Sequence, residues 1–224
     1  MLPSISPVRI RSSHAPLLQG GQFVLYWMTA ARRTRASHAL QHAVRMSQEL
    51  GKPLVVLEGI RVDARWSCER VHRFVMQGMA DNARRFHEAG VAYLPYVEPE
   101  PGHGKGLLEA LAQHACVVVT DAFPSHFLPR MVATAEQRLR VRLDVVDGNG
   151  VIPLDLPDRD FTVAHSFRRW IQKNIGSAWD PPVRDPLVDL PGGAVIDSGI
   201  LERWQPLGGG MPTCLLYTSD AADE

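Results

Sequence analysis

Three arginines follow the first strongly apolar run of the sequence. Arg32, Arg33 and Arg35 come shortly after residues 23–28, where the next helix is predicted to begin. The first N–H groups of a helix lack partners within the helix and attract anions, so these arginines predict a site for a phosphate or a carboxylate. The alternative is a solvated loop, because arginine dominates the basic residues of the whole chain and a basic cluster alone is weak support for a ligand.

Three further groups of residues have spacings that occur in metal or catalytic sites. His38 and His42 lie one helical turn apart, but no glutamate completes an H-E-x-x-H motif. Ser125 and His126 lack the surrounding G-x-S-x-G sequence of a hydrolase nucleophile. The glycine-rich residues 102–106 match neither phosphate-binding glycine motif. We expect ordinary surface residues in all three places and assign no catalytic and no metal-binding residue.

Apolar runs and amphipathic segments alternate along the chain. Short runs rich in β-branched and aromatic residues predict strands, and apolar residues at three- and four-residue spacing predict helices. This alternation is typical of βαβ crossovers, so the predicted fold class is α/β, a five-stranded parallel, Rossmann-like (doubly wound) sheet with helices on both faces. The predicted strands are 23–28, 53–60, 91–97, 116–120 and 141–146, and the predicted helices are 36–50, 68–89, 105–115, 128–139 and 163–175.

Sheets of this kind bind ligands beyond the carboxyl ends of their strands, where the strand order reverses. The loops of interest are therefore 28–35, 61–67 and 121–129. Aromatic side chains that could stack on one flat ring lie on or beside these loops, and the alternative for them is packing at the edge of the core. They are Trp27, Trp66, Phe123 and Phe127.

Composition limits the class of protein. The 224 residues are 45% hydrophobic and 21% charged, with a formal net charge of zero. No apolar run is long enough for a transmembrane helix, and the first 21 residues do not form a secretory signal, so we expect a cytoplasmic protein without a membrane partner. Cys68, Cys116 and Cys214 are far apart, which predicts neither a disulfide framework nor a zinc site.

The pattern divides the chain into segments. Residues 1–21 are predicted to be an N-terminal arm, and residues 22–155 the α/β domain. Beyond them proline and glycine recur, and residues 156–213 are interpreted as a connector whose packing partner, a further domain, is missing. Its predicted helix would present three apolar side chains to a partner, namely Phe167, Trp170 and Ile171.

The last eleven residues, 214–224, continue neither a helical nor a strand pattern and contain three acidic and no basic residues. They resemble the translation of a transposon-end adapter used in sequencing libraries, so we expect a cloning or assembly scar. The chain would then be the front piece of a longer protein. The alternative is a natural, disordered acidic tail.

Four motifs occur in order on the predicted strand ends and the second helix. They are Tyr26-Trp27-Met28, Arg73-Phe74-Val75-Met76-Gln77-Gly78-Met79, Thr120-Asp121-Ala122-Phe123-Pro124 with Leu128-Pro129-Arg130, and Val146-Asp147-Gly148-Asn149-Gly150-Val151-Ile152-Pro153. Over residues 22 to about 175 this series resembles the amino-terminal domain of DNA photolyases, in particular the class II cyclobutane pyrimidine dimer enzymes. Two places depart from that pattern: Ala122-Phe123-Pro124-Ser125 replaces Phe-Ser-Pro, and Gly148 and Gly150 alter the Asp-x-x-Asn segment.

The resemblance implies a light-driven repair enzyme. In this family the α/β domain holds an antenna chromophore, often a deazaflavin or a folate, and a following helical domain binds FAD and UV-damaged DNA. Light excites the reduced FAD, and an electron passes to the pyrimidine dimer and returns after the ring splits. The FAD-binding part would lie beyond residue 213, so this chain alone is expected to be inactive. The implied antenna-binding residues are Trp27, Met28, Arg32, Arg33, Asp121 and Phe123.

Two other functions stay open at this point. A photolyase-like domain also occurs in cryptochrome-type photoreceptors, whose discriminating residues would lie downstream. A free-standing nucleotide-binding module of the universal-stress type has a five-stranded sheet too, but its G-x-x-G-x(9)-G-[ST] segment is missing here. We expect the complete protein to be a monomer.

Overall fold

The apolar runs of the sequence form the strands of one sheet. The computed structural model describes residues 1–62 and 68–207, so Trp66, the end of the connector and residues 214–224 lie outside the described residues. The strands are β1 Ile10–Ser12, β2 Phe23–Met28, β3 Leu54–Ile60, β4 Ala92–Val97, β5 Ala115–Ala122 and β6 Leu143–Asp147. The helices are α1 His38–Leu50, α2 Glu69–Glu88, α3 Leu107–Ala112, α4 Leu128–Arg138, α5 Ala164–Ala178 and α6 Ser198–Arg203.

The sheet has six strands in the order β1-β6-β5-β2-β3-β4. Strands β2 to β6 are parallel, and β1 pairs with β6 in the antiparallel direction. The predicted α/β class is therefore confirmed, but the prediction of five all-parallel strands is wrong. Strand β1 lies within the predicted N-terminal arm, because three residues are too few to produce a recognisable alternation.

Both faces of the sheet are covered by helices. Phe23 and Leu25 of β2 face a core formed with α3, α4 and α6, whereas Val24 and Tyr26 face a core formed with α1 and α2. Because both faces of a parallel sheet are buried, such a strand is apolar throughout rather than at every second residue. Strand β4 lies at an edge, where Pro95 removes no hydrogen bond from the centre of the sheet.

The segment after α5 packs on the α/β domain, a contact that the interpretation of residues 156–213 as a connector with a missing partner did not include. Val183 and Leu187 pack on the core beneath α1, and the backbone N–H of Val183 donates to Gln41 Oε1 over 2.7 Å. Further along, Ile200 and Trp204 are buried against the α3 side of the sheet. The connector therefore contacts both helical layers.

Helix α5 itself stays largely in solvent. Phe167 is 39% exposed and Ile175 37% exposed, and of the residues in the helix only Ala178 is buried. Trp170 and Ile171 are half-buried. The expectation of apolar side chains on the surface of this helix is thus confirmed for Phe167. Of the described helices, none is long and apolar enough to cross a membrane.

A buried arginine joins the N-terminal arm to two distant segments. Arg9 is 1% exposed, and its Nε donates to Asp180 Oδ2 over 3.2 Å. Its two terminal nitrogens donate to the carbonyls of Asp147 and Val151 at 3.2 and 2.9 Å. Because a buried guanidinium needs partners for its donors, these contacts bring the arm, the loop after β6 and the segment after α5 together.

We predict that Arg9→Met lowers the free energy of unfolding by about 3 kcal/mol, because a half-buried carboxylate and two carbonyls lose their donor. Urea denaturation measures the change. Arg11→Met is the matched control: the Arg11 side chain is 55% exposed and pairs with Glu136, so its loss should stay below about 1 kcal/mol. Equal losses for the two variants would contradict the assigned role of Arg9.

Candidate functional site

The strand order reverses between β2 and β5. Strands β3 and β4 continue the sheet on one side of β2, and β5 and β6 lie on the other. The loops that leave the carboxyl ends of β2 and β5 therefore diverge to opposite faces, which is the usual ligand position in a doubly wound sheet. We call the residues 26–37, 120–127 and 147–154 the switch-point region.

A buried carboxylate lies at the centre of the switch-point region. Asp121 is 4% exposed, and its Oδ2 accepts hydrogen bonds from the backbone N–H groups of Thr29 and Ala30, both at 2.9 Å, and of Ala31 at 3.3 Å. Its Oδ1 accepts from the Tyr26 hydroxyl at 3.0 Å. The carboxylate is thus the anion toward which the first amides of the loop after β2 point.

The polar groups next to Asp121 also link strand β2 to strand β5. Burial, followed by the negative charge of Asp121, raises the pKa of Tyr26 well above its usual value, so this hydroxyl remains a donor. The hydroxyl of Thr120 donates to the Trp27 carbonyl over 2.8 Å. Residues of the Tyr-Trp-Met motif and of the Thr-Asp motif therefore bind each other directly.

The loop after β6 is joined to the end of β5. Asp147 accepts from the backbone N–H groups of Asn149 and Leu154 at 2.8 and 2.7 Å. The side-chain amide of Asn149 donates to the Ala122 carbonyl over 2.8 Å. Three of the four motifs found in the sequence thus meet at one edge of the sheet, whereas the motif of α2 contributes Met79 to a separate small core.

Arg32 is paired within the protein. One terminal nitrogen lies 3.1 Å from Glu58 Oε1 and the other donates to the Gly59 carbonyl over 2.7 Å. Glu58 is 1% exposed and also accepts from Asn82 and from the Tyr93 hydroxyl, at 3.0 and 2.6 Å. Burial and the charge of Glu58 raise the pKa of Tyr93. Glu58 is not among the residues predicted from the sequence, although a charged residue inside the apolar run 54–60 indicates a buried ion pair.

The other two arginines of the cluster also have partners. Arg35 forms an exposed ion pair with Asp185 at 2.6 Å, and Arg33, which is exposed, donates to the Ala36 carbonyl over 3.0 Å. The N-terminus of α1 is capped by the hydroxyl of Ser37, which accepts from the Leu40 N–H. This internal cap takes up a helix amide that an anion would otherwise bind.

The predicted aromatic and apolar site residues differ in exposure. Trp27 is half-buried at the edge of the α3-side core, and Met28 is 1% exposed. Phe123 is half-buried and its ring is stacked on His126, with 6.4 Å between ring centroids. Phe127 is 53% exposed at the start of α4. The side chains of Trp27, Phe123 and Arg33 therefore retain surface for a ligand, and that of Met28 does not.

These contacts limit the kinds of ligand that the switch-point region can bind. The amides of residues 29–31 donate to Asp121, and no glycine lies between residues 29 and 37, so the loop after β2 does not form the phosphate cradle that a dinucleotide such as FAD requires. A flat ring that stacks on aromatic side chains fits the exposed groups better. No group of three or more potential metal ligands occurs in the described part of the chain.

The two histidines at helical spacing have separate partners. His38 Nε2 lies 2.7 Å from the Asp180 carbonyl, and His42 Nε2 lies 2.9 Å from Asp144 Oδ2. Burial lowers the pKa of His38. Ser125 and His126 lie on the exposed loop after β5. The expectation of ordinary surface residues is wrong for the two histidines, since His38 is 3% and His42 8% exposed and each is turned toward an internal acceptor.

Comparison with known proteins gives one informative match, and no protein-family model matches the chain. The sequence is similar to a photolyase. The deoxyribodipyrimidine photo-lyase of Methanothermobacter thermautotrophicus is 28% identical over 156 residues, which are 69% of this chain and 34% of the relative. The chain thus spans about a third of the length of the curated relative it matches. The similarity supports the family indicated by the four motifs.

We predict that Asp121→Asn lowers the free energy of unfolding by about 3 kcal/mol, because the buried amides lose a charged acceptor and face an NH₂ group instead. Asp158→Asn, at an exposed position, is the control and should change stability by less than about 0.5 kcal/mol. Chemical denaturation of both variants provides the measurement. A loss below about 1 kcal/mol for Asp121→Asn would show that the carboxylate does not hold the loop.

Proposed function

We propose that this chain is the amino-terminal α/β part of a deoxyribodipyrimidine photolyase, and that the complete protein repairs cyclobutane pyrimidine dimers in DNA. The observation that carries the proposal is the direct hydrogen bonding among three of the motifs at the switch point, together with the similarity to a deoxyribodipyrimidine photo-lyase. The class II subgroup and the status of the chain as a fragment are parts of this proposal. The match covers 34% of the length of the relative, which favours the proposal that this chain is a fragment.

Within such a protein, reduced FAD supplies the electron that splits the dimer. We assign FAD to a part of the protein beyond residue 213, and in support of this the amides of the loop after β2 already donate to Asp121. The task that we assign to this chain is to hold a flat antenna pigment at the switch-point region. Trp27 and Phe123 would contact the ring, and Arg33 would bind an acidic group of the pigment.

Three of the six predicted residues would support the others rather than contact the pigment. Asp121 determines the path of the backbone that carries Arg33, and Arg32 ties the same loop to Glu58 of β3. Met28 lies beneath the loop, with its sulphur 3.9 Å from Asn82 Nδ2. We therefore propose Trp27, Arg33 and Phe123 as pigment contacts, and Met28, Arg32 and Asp121 as the supporting layer.

The repair activity is tested on the complete gene product. The genomic locus is read past codon 213, the full reading frame is expressed, and UV-irradiated oligothymidylate is incubated with the reduced protein in blue light and in darkness. We expect a helix-rich frame that continues downstream and loss of dimers only in the light. Flavin-containing protein that leaves the dimers intact would favour a cryptochrome-type photoreceptor and contradict the repair proposal.

Pigment binding is tested on the 224-residue chain by fluorescence titration with a deazaflavin and with a folate, each added separately. We expect one of the two to bind, and expect Arg33→Ala and Phe123→Ala each to weaken binding about tenfold, which corresponds to about 1.4 kcal/mol. Arg45→Ala, which breaks an ion pair on α1, is the control and should leave affinity unchanged. Equal effects of Arg45→Ala and Arg33→Ala, or binding of neither pigment, would contradict the assignment.

A further inference from the structure

The segment that follows α5 lies along helix α1 from its first turn to its last. We call residues 180–190 the strap. At the start of α1, His38 Nε2 lies 2.7 Å from the Asp180 carbonyl, and in the last turn Gln48 Nε2 donates to the Val188 carbonyl over 2.8 Å. Three apolar side chains of the strap pack on the core beneath α1, namely Val183, Leu187 and Leu190. The strap is therefore attached to α1 over the whole length of the helix.

The middle of the strap also contacts the loop after β2. The backbone N–H of Ala36 donates to the Arg184 carbonyl over 2.9 Å, and Arg35 pairs with Asp185 at 2.6 Å. The carbonyl of Ala36 in turn accepts from the Arg33 guanidinium over 3.0 Å. Ala36 thus binds the strap through its N–H and the proposed pigment contact Arg33 through its carbonyl.

Ala36 has a backbone conformation that alanine seldom adopts. Its φ is 46°, where the Cβ atom comes too close to the backbone, and only glycine is free of this penalty. A residue in this region keeps its conformation only where neighbouring groups hold it there. The Arg184 carbonyl is such a group, because it accepts the N–H of Ala36 itself. The pair of Arg35 and Asp185 contributes less, since both side chains are at least 50% exposed.

We propose that the strap positions Arg33, so that the affinity of the switch-point region for its pigment depends on the packing of the strap on α1. When the strap leaves α1, Ala36 loses the acceptor of its N–H and relaxes to a negative φ, and its carbonyl turns away from Arg33. The effect on affinity rests on the proposed function, whereas the link between strap and loop requires no pigment. Because such coupling is reciprocal, a bound pigment should also slow the opening of the strap.

The link is tested by hydrogen exchange and mass spectrometry on the 224-residue chain. Leu187→Ser weakens the packing of the strap, since Leu187 is half-buried on the core beneath α1, and it changes no residue of the loop. We expect exchange in residues 29–37 to quicken at least about fivefold more than exchange in residues 115–122 of β5, because a local opening exposes the loop alone. If both segments quicken equally, the substitution only destabilises the whole protein, and the proposal is overturned.

The matched control is Leu17→Ser, the same substitution at another half-buried residue on the same core. Leu17 precedes Leu18, whose N–H donates to the Cys116 carbonyl at the amino end of β5, on the edge of the sheet opposite to the loop. We expect this control to change exchange in the two segments by the same factor, to within about twofold. A selective effect on residues 29–37 would show that the loop responds to any loss of core packing, and would overturn the proposal. Leu187→Ala, a milder change, replaces Leu187→Ser if that variant does not fold.

Ala36→Gly tests whether Ala36 is the link between strap and loop. Glycine adopts a positive φ without penalty, so a loop with glycine at this position depends less on the strap. We expect Leu187→Ser, added to Ala36→Gly, to quicken exchange in residues 29–37 less than about twofold beyond the change in β5. An effect as large as the one in the presence of Ala36 would overturn the proposal.

Pigment affinity is measured for the same variants by fluorescence titration with the deazaflavin and with the folate, each added separately. We expect Leu187→Ser to weaken binding at least about fivefold and Leu17→Ser to weaken it less than about twofold, because only the first releases the loop. Unchanged affinity in Leu187→Ser would overturn the positioning role and leave the proposed function standing. Binding of neither pigment to the unmodified chain would contradict the proposed function, and hydrogen exchange would then decide on the strap by itself.

Discussion

The geometry of the switch-point region depends on one buried carboxylate. Three consecutive backbone amides and a tyrosine hydroxyl donate to Asp121, so the chain must turn around this side chain as it leaves β2. Charge-assisted hydrogen bonds of this kind are shorter and stronger than neutral ones, and in a buried setting the loss of any partner leaves a costly unpaired group. The carboxylate therefore links the end of β5 to the start of the connection that leads from β2 to α1.

Other buried charged groups are likewise held by several hydrogen bonds each. Arg9 donates to three acceptors in two distant segments, Glu58 accepts from three side chains, and Asp144 accepts from His42, Ser12 and Arg142. Burial acts to raise the pKa of Asp144, but the hydrogen bonds from His42 and Ser12 and the charge of Arg142 outweigh it, and the net direction is downward. Each charge is satisfied from elements distant in sequence, so these contacts specify how the elements are arranged.

The backbone amides of the loop after β2 donate to Asp121 of the chain itself, so they do not serve a bound phosphate. A glycine-rich loop with free amides binds phosphate, whereas here the anion is part of the chain and the neighbouring Arg32 is paired with Glu58. The groups that remain exposed there are aromatic surface and Arg33, whereas the exposed Arg35 is paired with Asp185, and our pigment proposal uses the first two.

The sequence by itself determined the fold class, the ends of most helices and strands to within a few residues, and the family that the motifs resemble. Those features depend on local periodicity and on nearby residues such as Gly51, whose left-handed backbone ends α1. Tertiary structure alone decided that Asp121 and Arg32 are internal partners, that β1 extends the sheet and that the connector packs on both helical layers. Those outcomes depend on contacts between residues 26 to 171 positions apart, for which a single sequence carries no periodic signal.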